Sequence, residues 1–304
     1  MPLRTLTYTA GETDDGRTVL SLLRRELLCS DSHISRLKKR EAGILLNQTR
    51  CYVTARVKAG DVLSIEIGDL PDGHIVPMAY SLTVVYEDDD LLILDKPAGI
   101  SVHQSTRDPE EITLENAVCQ YLGGNISPHP VSRLDRGTSG LIAFAKSGYI
   151  HERLRRQMHT SDYARTYLGI ACGHVAPESG VIELPIGMAE GSTFQRAIQP
   201  DGQSARTEYE TLAVNERFTL LKLTPRTGRT HQLRLHLSAI GYPLAGDWLY
   251  GAEDRALIPR PALHSYELTL THPITGACIH LTAELPEDMR RLIDDPTKQN
   301  KGVL

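Results

Sequence analysis

The sequence predicts an α+β fold in two units: a small two-helix-plus-sheet domain, then a larger mixed, mainly antiparallel sheet flanked by helices. Three observations carry this. The chain has 304 residues, 40% hydrophobic and 23% charged, which is ordinary for a globular protein and enough for more than one core. Two helical apolar patterns followed by short strands fill the first 70 residues. Beyond residue 82, strands outnumber helices and often follow one another directly, as antiparallel neighbours do.

A strand at 3–9 opens the chain. Residues 18–28 read as a helix, with Val19, Leu20, Leu23 and Leu27 on one side. A second helix starts at Ser32, read as its N-cap, and stops at Gly43. Ile34 and Leu37 face inward, while Arg36, Lys38, Lys39 and Arg40 crowd the exposed face. Strands follow at 44–46, 52–57 and 62–67, with turns at Asn47-Gln48-Thr49 and Ala59-Gly60-Asp61. Asp69 to Tyr80 carries Pro71, Gly73 and Pro77 without periodicity and reads as a linker. The expected domains are 1–70 and 82–304, joined by a linker at 71–81.

The second unit opens with strands at 82–86 and 91–95 around the acidic turn Glu87-Asp88-Asp89-Asp90. Lys96-Pro97-Ala98-Gly99 breaks into a loop. A helix at 112–122 presents Leu114, Val118 and Leu122 on one face, and another at 147–159 presents Ile150, Leu154 and Met158. Strands are expected at 141–145, 163–171, 181–184, 206–213 and 218–224. A helix from Thr230 to Gly241 carries the stripe Leu233, Leu237 and Ile240.

Composition removes several classes. No apolar run is long enough to span a bilayer, and the first residues lack the apolar core of a secretion signal. Five scattered cysteines form no closely spaced pair, so neither a zinc knuckle nor a disulfide framework is expected, and a reducing cytoplasm fits. A net charge of −5 argues against binding a polyanion over the whole surface. The charge is segregated, however. Residues 33–58 hold seven bases against one acid, and residues 222–236 hold four bases and no acid.

Two stretches carry candidate chemistry. In Val131-Ser132-Arg133-Leu134-Asp135-Arg136-Gly137-Thr138-Ser139-Gly140 one carboxylate sits between two arginines, on the loop feeding an apolar strand. Asp135 is either a turn cap or a reactive group held on a rigid platform. In Gly228-Arg229-Thr230-His231-Gln232-Leu233-Arg234, two arginines fall at the start of a helix. Free N–H groups already make that end positive, so an anion is expected there, either a substrate phosphate or a protein carboxylate. His231 and His236 lack a third residue at metal-ligand spacing and are read as packing or hydrogen-bonding groups, with no metal.

These motifs together resemble the RluA type of RNA pseudouridine synthase. The likeness rests on Arg133-Leu134-Asp135-Arg136-Gly137-Thr138-Ser139-Gly140, Arg165-Thr166-Tyr167-Leu168, Gly228 to Arg234, Gly241 to Asp247, Tyr250-Gly251, Leu263-His264, His272-Pro273 and Leu285-Pro286. Residues 17–67 resemble the small RNA-binding module of ribosomal protein S-four, through Arg36-Leu37-Lys38-Lys39-Arg40, Leu46-Asn47-Gln48 and Lys58-Ala59-Gly60-Asp61. The resemblance implies a catalytic domain on one long bent sheet, with Asp135 as the catalytic carboxylate, Tyr167 in the active site and Arg234 as basic partner. Arg133, Arg136, Arg229 and His231 are the RNA-binding residues expected around the site, with Arg36, Lys38, Lys39 and Arg40 in the first module. Ser132 stands where this family usually has His.

The implied reaction detaches uracil from its ribose, turns the base and rejoins it through carbon. Nothing is oxidised and no group is carried away, so no cofactor is expected. The expected partner is RNA, with large-subunit ribosomal RNA preferred and transfer RNA the alternative. The protein is expected to be a cytoplasmic monomer off the membrane. Two rival readings are a non-enzymatic RNA-binding protein and a phosphoryl-transfer enzyme cradling phosphate at Gly228-Arg229-Thr230. The second lacks a Walker-type loop.

Overall fold

A computed structural model describes residues 3–70, 74–104, 110–124, 127–158 and 160–294. His159 and part of the expected linker fall outside them. The first unit contains β1 (Arg4–Thr9), α1 (Val19–Arg25), α2 (Asp31–Leu37), β2 (Ile44–Leu46), β3 (Thr49–Arg50) and β4 (Val62–Ile67). Its sheet runs β1-β4-β2-β3. Asn47 and Gln48 both take positive φ, the two-residue turn that matches the twist of a tight hairpin.

Two expectations fail here for stated reasons. The second helix is capped by Ser30, not Ser32, and ends at Leu37. Lys39 and Arg40 then donate their N–H groups three residues back, tightening the chain into turns. Residues 52–57 form no strand. The carbonyls of Ala55 and Val53 accept from Val19 and Leu20 at 2.9 and 2.8 Å, and Val57 exchanges bonds with Arg17 and Gly16. That segment satisfies the orphan N–H groups at the start of α1, so its backbone is not available to a sheet.

The second unit adds β5 (Thr83–Glu87), β6 (Leu91–Lys96), α3 (Leu114–Tyr121), β7 (His129–Pro130), β8 (Ser139–Ala145), α4 (Gly148–Gln157), β9 (Tyr163–Cys172) and β10 (Ser179–Glu183). There follow β11 (Ile186–Met188), β12 (Arg196–Ile198), β13 (Arg206–Val214), β14 (Phe218–Pro225), α5 (Gln232–Ala239), β15 (Leu263–Thr271), β16 (Cys278–Thr282) and α6 (Glu287–Ile293). The main sheet runs β10-β13-β14-β9-β15-β8-β6-β5, with β16 on β15 and β7 on β8. The β8–β15 pair is parallel and the other described pairs are antiparallel, so the expected mixed, mainly antiparallel sheet is present. β15, which the sequence reading did not assign, lies in the middle of it. Gly140 has φ +103, and a Cβ there would lie 2.2 Å from the Ser265 carbonyl oxygen; only glycine lets β8 and β15 approach this closely.

Side chains alternate between the two faces of each strand. Leu91, Ile93, Leu141, Ala143 and Ala145 pack on one face with Tyr149, Ile150 and Leu154 of α4. The same cluster continues into Val19, Leu22, Leu23, Ile34, Leu37, Leu63 and Ile65 of the first unit. On the other face, Leu92, Leu94, Ile142 and Phe144 pack with Leu114 and Val118 of α3 and Leu233 and Leu237 of α5. α6 covers Leu168, Ile170, Phe218 and Leu220. β6 and β8 are thus buried on both sides, which explains their unbroken apolar runs. The first unit does not hang from a free linker. Tyr149 Oη donates to the buried Leu27 carbonyl at 2.6 Å, and Asp69 accepts from Gly148 N at 2.7 Å and lies 2.6 Å from His129 Nε2.

Candidate active site

Asp135 lies on the loop before β8. The loop is held on three sides. Its start is pinned by Val131 N donating to Ala143 O, and its turn closes through Thr138 N to Asp135 O at 3.0 Å. The Arg136 carbonyl accepts from Gly99 N at 2.8 Å and from Lys96 Nζ at 3.3 Å. Arg260 Nη1 reaches the Gly137 carbonyl at 3.2 Å. Lys96 is fully buried, and its ammonium also donates to the carbonyls of Pro97 and Ile100. Burial, with Arg260 beside it, pulls its pKa down to about 7, while Asp135 and three carbonyl acceptors favour the charged form. The sequence reading noted Lys96 only as a loop marker. The signal available was a lysine ending a strand buried on both faces.

Arg234 is the third residue of α5, near the positive end of the helix. Its compensating anions are protein carboxylates. Nη2 and Nε take the two oxygens of Asp247 at 2.7 and 2.8 Å, and Nη1 stands 3.4 Å from Asp135 Oδ2. Asp247 is fully buried, Arg234 is buried, and Asp135 keeps 26% of its side chain open to the cleft. Burial works against the Arg234 charge, but the bonds to Asp247 and the charge of Asp135 more than offset it, so its pKa is raised. The Tyr250 ring lies 5.3 Å from the guanidinium carbon.

Tyr167 on β9 is buried, with its hydroxyl 3.5 Å from Arg165 Nη1. It lines the same cleft without a hydrogen bond to Asp135 or Arg234. His231 is the N-cap of α5 with φ +56, and caps through no side-chain bond. Tyr250 Oη accepts from Arg196 N and stands within hydrogen-bond distance of His231 Nδ1, at 2.9 Å. Burial pushes the His231 pKa down, which keeps the ring neutral at pH 7. Gln232 locks the preceding loop by accepting from Thr227 Oγ1 and Arg229 N and donating to Arg206 O.

The cleft is about 580 Å³, lined by Asp135, Tyr167, Arg234 and Leu263, and by Arg133, Arg136, Arg155, Arg165 and Arg229. Six arginines thus surround a single carboxylate. Arg133 reaches Thr230 Oγ1 at 3.3 Å, Arg136 bonds Gly99 O and pairs with Glu111, and Arg229 Nε donates to Ser204 O. Every site residue expected in the second unit therefore meets at this cleft. Arg36, Lys38, Lys39 and Arg40 do not line it. The first three are exposed, and Arg40 is half-buried with its guanidinium on the Gly68 carbonyl. Arg155, Arg165 and Asp247 were not singled out as site residues.

Asp88, Asp90 and His272 come together at metal-like distances among the described residues, away from the cleft. His272 Nδ1 accepts from Ile274 N and Thr275 N, which puts the ring proton on Nε2, facing Asp88 at 3.0 Å. Arg4 pairs with Asp90. These groups satisfy one another. Among the described residues no helix is long and apolar enough to cross a membrane.

The cleft has the volume of a small-molecule pocket and is walled by guanidinium groups around one part-exposed carboxylate, a lining complementary to an anionic ligand. Residues 90–239 match the family model for RNA pseudouridylate synthase. The chain is 35% identical to the uncharacterized RNA pseudouridine synthase YhcT of Bacillus subtilis over 294 residues, 95% of this chain and 96% of that one. It is 38% identical to ribosomal large subunit pseudouridine synthase D of Nitrosomonas europaea over 227 residues, 71% of this chain and 65% of that one. Human RNA pseudouridylate synthase domain containing 4 shares the fold, with a TM-score of 0.56 and 22% identity over 68% of this chain and 90% of that one. The chain belongs to the RNA pseudouridine synthase family and is an isomerase acting on RNA. Within that family it is of the RluA type.

Proposed function

We propose that this enzyme isomerises specific uridines in large-subunit ribosomal RNA in the cytoplasm, with Asp135 as the reacting carboxylate. The observation that carries the reading is the meeting of Asp135, Arg234 and Tyr167 in one arginine-walled cleft. The name of the Nitrosomonas relative supports the choice of RNA. Asp135 acts at the sugar, either attacking the anomeric carbon as a glycosidase carboxylate does or removing a sugar proton. The bond from uracil nitrogen to ribose breaks and the captive base turns. A carbon–carbon bond then forms as the Asp135–sugar bond breaks or, on the second route, as the sugar regains its proton; the ring carbon gives up its proton and the freed nitrogen takes one up, so substrate and product are isomers. Arg234 orients Asp135. Tyr167 offers a face for the detached base.

The target uridine must leave its stack, at a cost of a few kcal/mol, which contacts to flanking phosphates offset. Arg133, Arg136, Arg229 and His231 grip the RNA at the cleft. The module 1–70, with its S-four-like pattern, adds Arg36, Lys38, Lys39 and Arg40, joined through 71–81 to the catalytic domain 82–304. The protein works as a monomer.

The test is tritium release from RNA carrying ring-labelled uridine. Wild-type protein releases label from ribosomal RNA, and Asp135→Asn releases none while retaining RNA affinity. Turnover by Asp135→Asn removes this carboxylate from the mechanism, and label released only from transfer RNA changes the substrate.

A further inference from the structure

We propose that Arg165 is a substrate-binding residue that holds a phosphodiester next to the flipped uridine, its charge left unmatched within the protein so that the RNA supplies the counter-ion. The inference rests on the reading that a uridine enters this cleft to meet Asp135.

The cleft arginines differ in what answers their charge. Arg234 has two carboxylates, Arg136 pairs with Glu111, and Arg229 donates to the Ser204 carbonyl. Arg133 and Arg155 are exposed, so water solvates them. Arg165 is half-buried and lines the cleft, yet no carboxylate among the described residues pairs with it. Its hydrogen bond from Nη1 to Tyr167 Oη is long, at 3.5 Å. The Tyr163 ring lies 5.8 Å from its guanidinium carbon and offers a quadrupole, not a counter-charge. The Tyr163 hydroxyl is itself buried, and Ser132 lies beside it without closing a hydrogen bond. A guanidinium shielded from water among neutral neighbours is unfavourable, and arginine cannot shed its proton to relieve this.

The geometry says where the missing anion belongs. Tyr163, Arg165 and Tyr167 alternate onto one face of β9. Gly228, on the loop before α5, adjoins the guanidinium; a Cβ there would stand 3.7 Å from Nη2, and the bare glycine keeps that edge uncovered. Two residues along a strand span about 7 Å, so a nucleotide whose base lies on Tyr167 brings its backbone to Arg165. Uracil is neutral and cannot balance a cation. A phosphate can, and its oxygens suit two parallel N–H groups of an arginine. The contact forms only when the nucleotide enters the cleft, so it offsets part of the unstacking cost at the step that incurs it.

The probe is large-subunit ribosomal RNA carrying ring-labelled uridine, and the readout is tritium release at a series of salt concentrations. Arg165→Met removes the charge and keeps most of the apolar stem. Its kcat/KM should fall about 10- to 100-fold, the loss expected for one charge-assisted contact. Most of that loss should appear in kcat, because the contact is absent before the nucleotide enters. The plot of log kcat/KM against log salt should become shallower by about 0.7, one phosphate fewer on a single strand. Tm should stay within about 2 °C of wild type, since no ion pair is broken. Arg165→Lys keeps the charge without the planar fork, so it should keep the wild-type salt slope and recover part of the rate.

A lowered kcat in Arg165→Met with an unchanged salt slope means that Arg165 only orients Tyr167, and overturns the proposal. A larger fall in Tm, or a variant that does not fold, gives the residue a role in the fold instead and also overturns it. A wild-type protein that binds the RNA but releases no label overturns the underlying reading and this one with it. An active wild type matched in rate and salt slope by Arg165→Met overturns only this one.

Discussion

The Tyr149→Phe variant tests whether the two units are one cooperative body. Tyr149 is 2% exposed, and its hydroxyl bridges from α4 to the segment after α1, donating to Leu27 O at 2.6 Å and accepting from Arg153 Nη1 at 3.1 Å. Phenylalanine keeps the ring, including its contact with His33 at 5.1 Å between centroids, so no cavity opens. What remains is a buried carbonyl whose other partner is the weak thiol donor of Cys29 at 3.8 Å. Stranding a buried acceptor costs about 1–3 kcal/mol. For a chain of this length each kcal/mol lowers Tm by roughly 2–4 °C, so a drop of about 2–12 °C is expected in a thermal melt. Limited proteolysis should meanwhile cut within residues 1–70 sooner than in wild type. A Tm within about 1 °C of wild type, with unchanged proteolysis, would refute the argument that this bond fastens the first unit to the catalytic sheet.

Two further outcomes follow from the same geometry. Both ring nitrogens of buried His33 lack hydrogen-bond partners, and burial, then the charges of Arg36 and Arg40, pushes its pKa down to about 4. The unfolded chain therefore binds more protons than the folded one between the ordinary value of 6.5 and about 4. This contribution to stability is intact above 6.5 and is lost as pH falls toward about 4. His33→Phe should flatten that part of the Tm-against-pH curve and raise Tm at pH 5; an unaltered slope would show that His33 does not carry it. Arg155, exposed on α4 and lining the cleft, should touch an RNA phosphate. Arg155→Ala should weaken RNA binding and reduce the slope of log affinity against log salt by about 0.7–0.9, whereas an unchanged slope excludes a phosphate contact.

Much of the fold was legible where one local rule decided the outcome. Residues 62–67 alternate apolar side chains and form β4 as expected, and the Asn47-Gln48 turn takes the backbone its residues favour. Residues 52–57 alternate just as well, and Val57 is buried, yet their backbone bonds go to the start of α1. Periodicity reports which side chains face inward; it does not report which backbone groups need a partner. β15 was hidden for a related reason. Its sequence LHSYELTLT mixes polar and apolar residues, and its fully buried members His264 and Ser265 have partners 125 and 124 residues away, Ser139 Oγ and the Leu141 carbonyl.

The site divides along the same line. Asp135 and Arg234 were visible because each is an anomaly in its own neighbourhood, a lone acid between arginines and a cation at the positive end of a helix. The anomaly at α5 left two possible anions, a phosphate and a protein carboxylate. The structure gives Arg234 to carboxylates, while Arg229 spends Nε on the Ser204 carbonyl and still lines the cleft. Asp247 closes one of the strings that carry the family likeness, yet no role could be read for it, because Ala-Gly-Asp reads locally as an ordinary turn. Its meaning lies in an arginine 13 residues earlier, across the reversal at Gly241, which has φ +89. A carboxylate that acts on another side chain leaves no local signal of that duty, since the cost of burying it is settled by a partner that only the folded chain brings near. The residues that aim a reactive group are therefore harder to read from sequence than the group they aim.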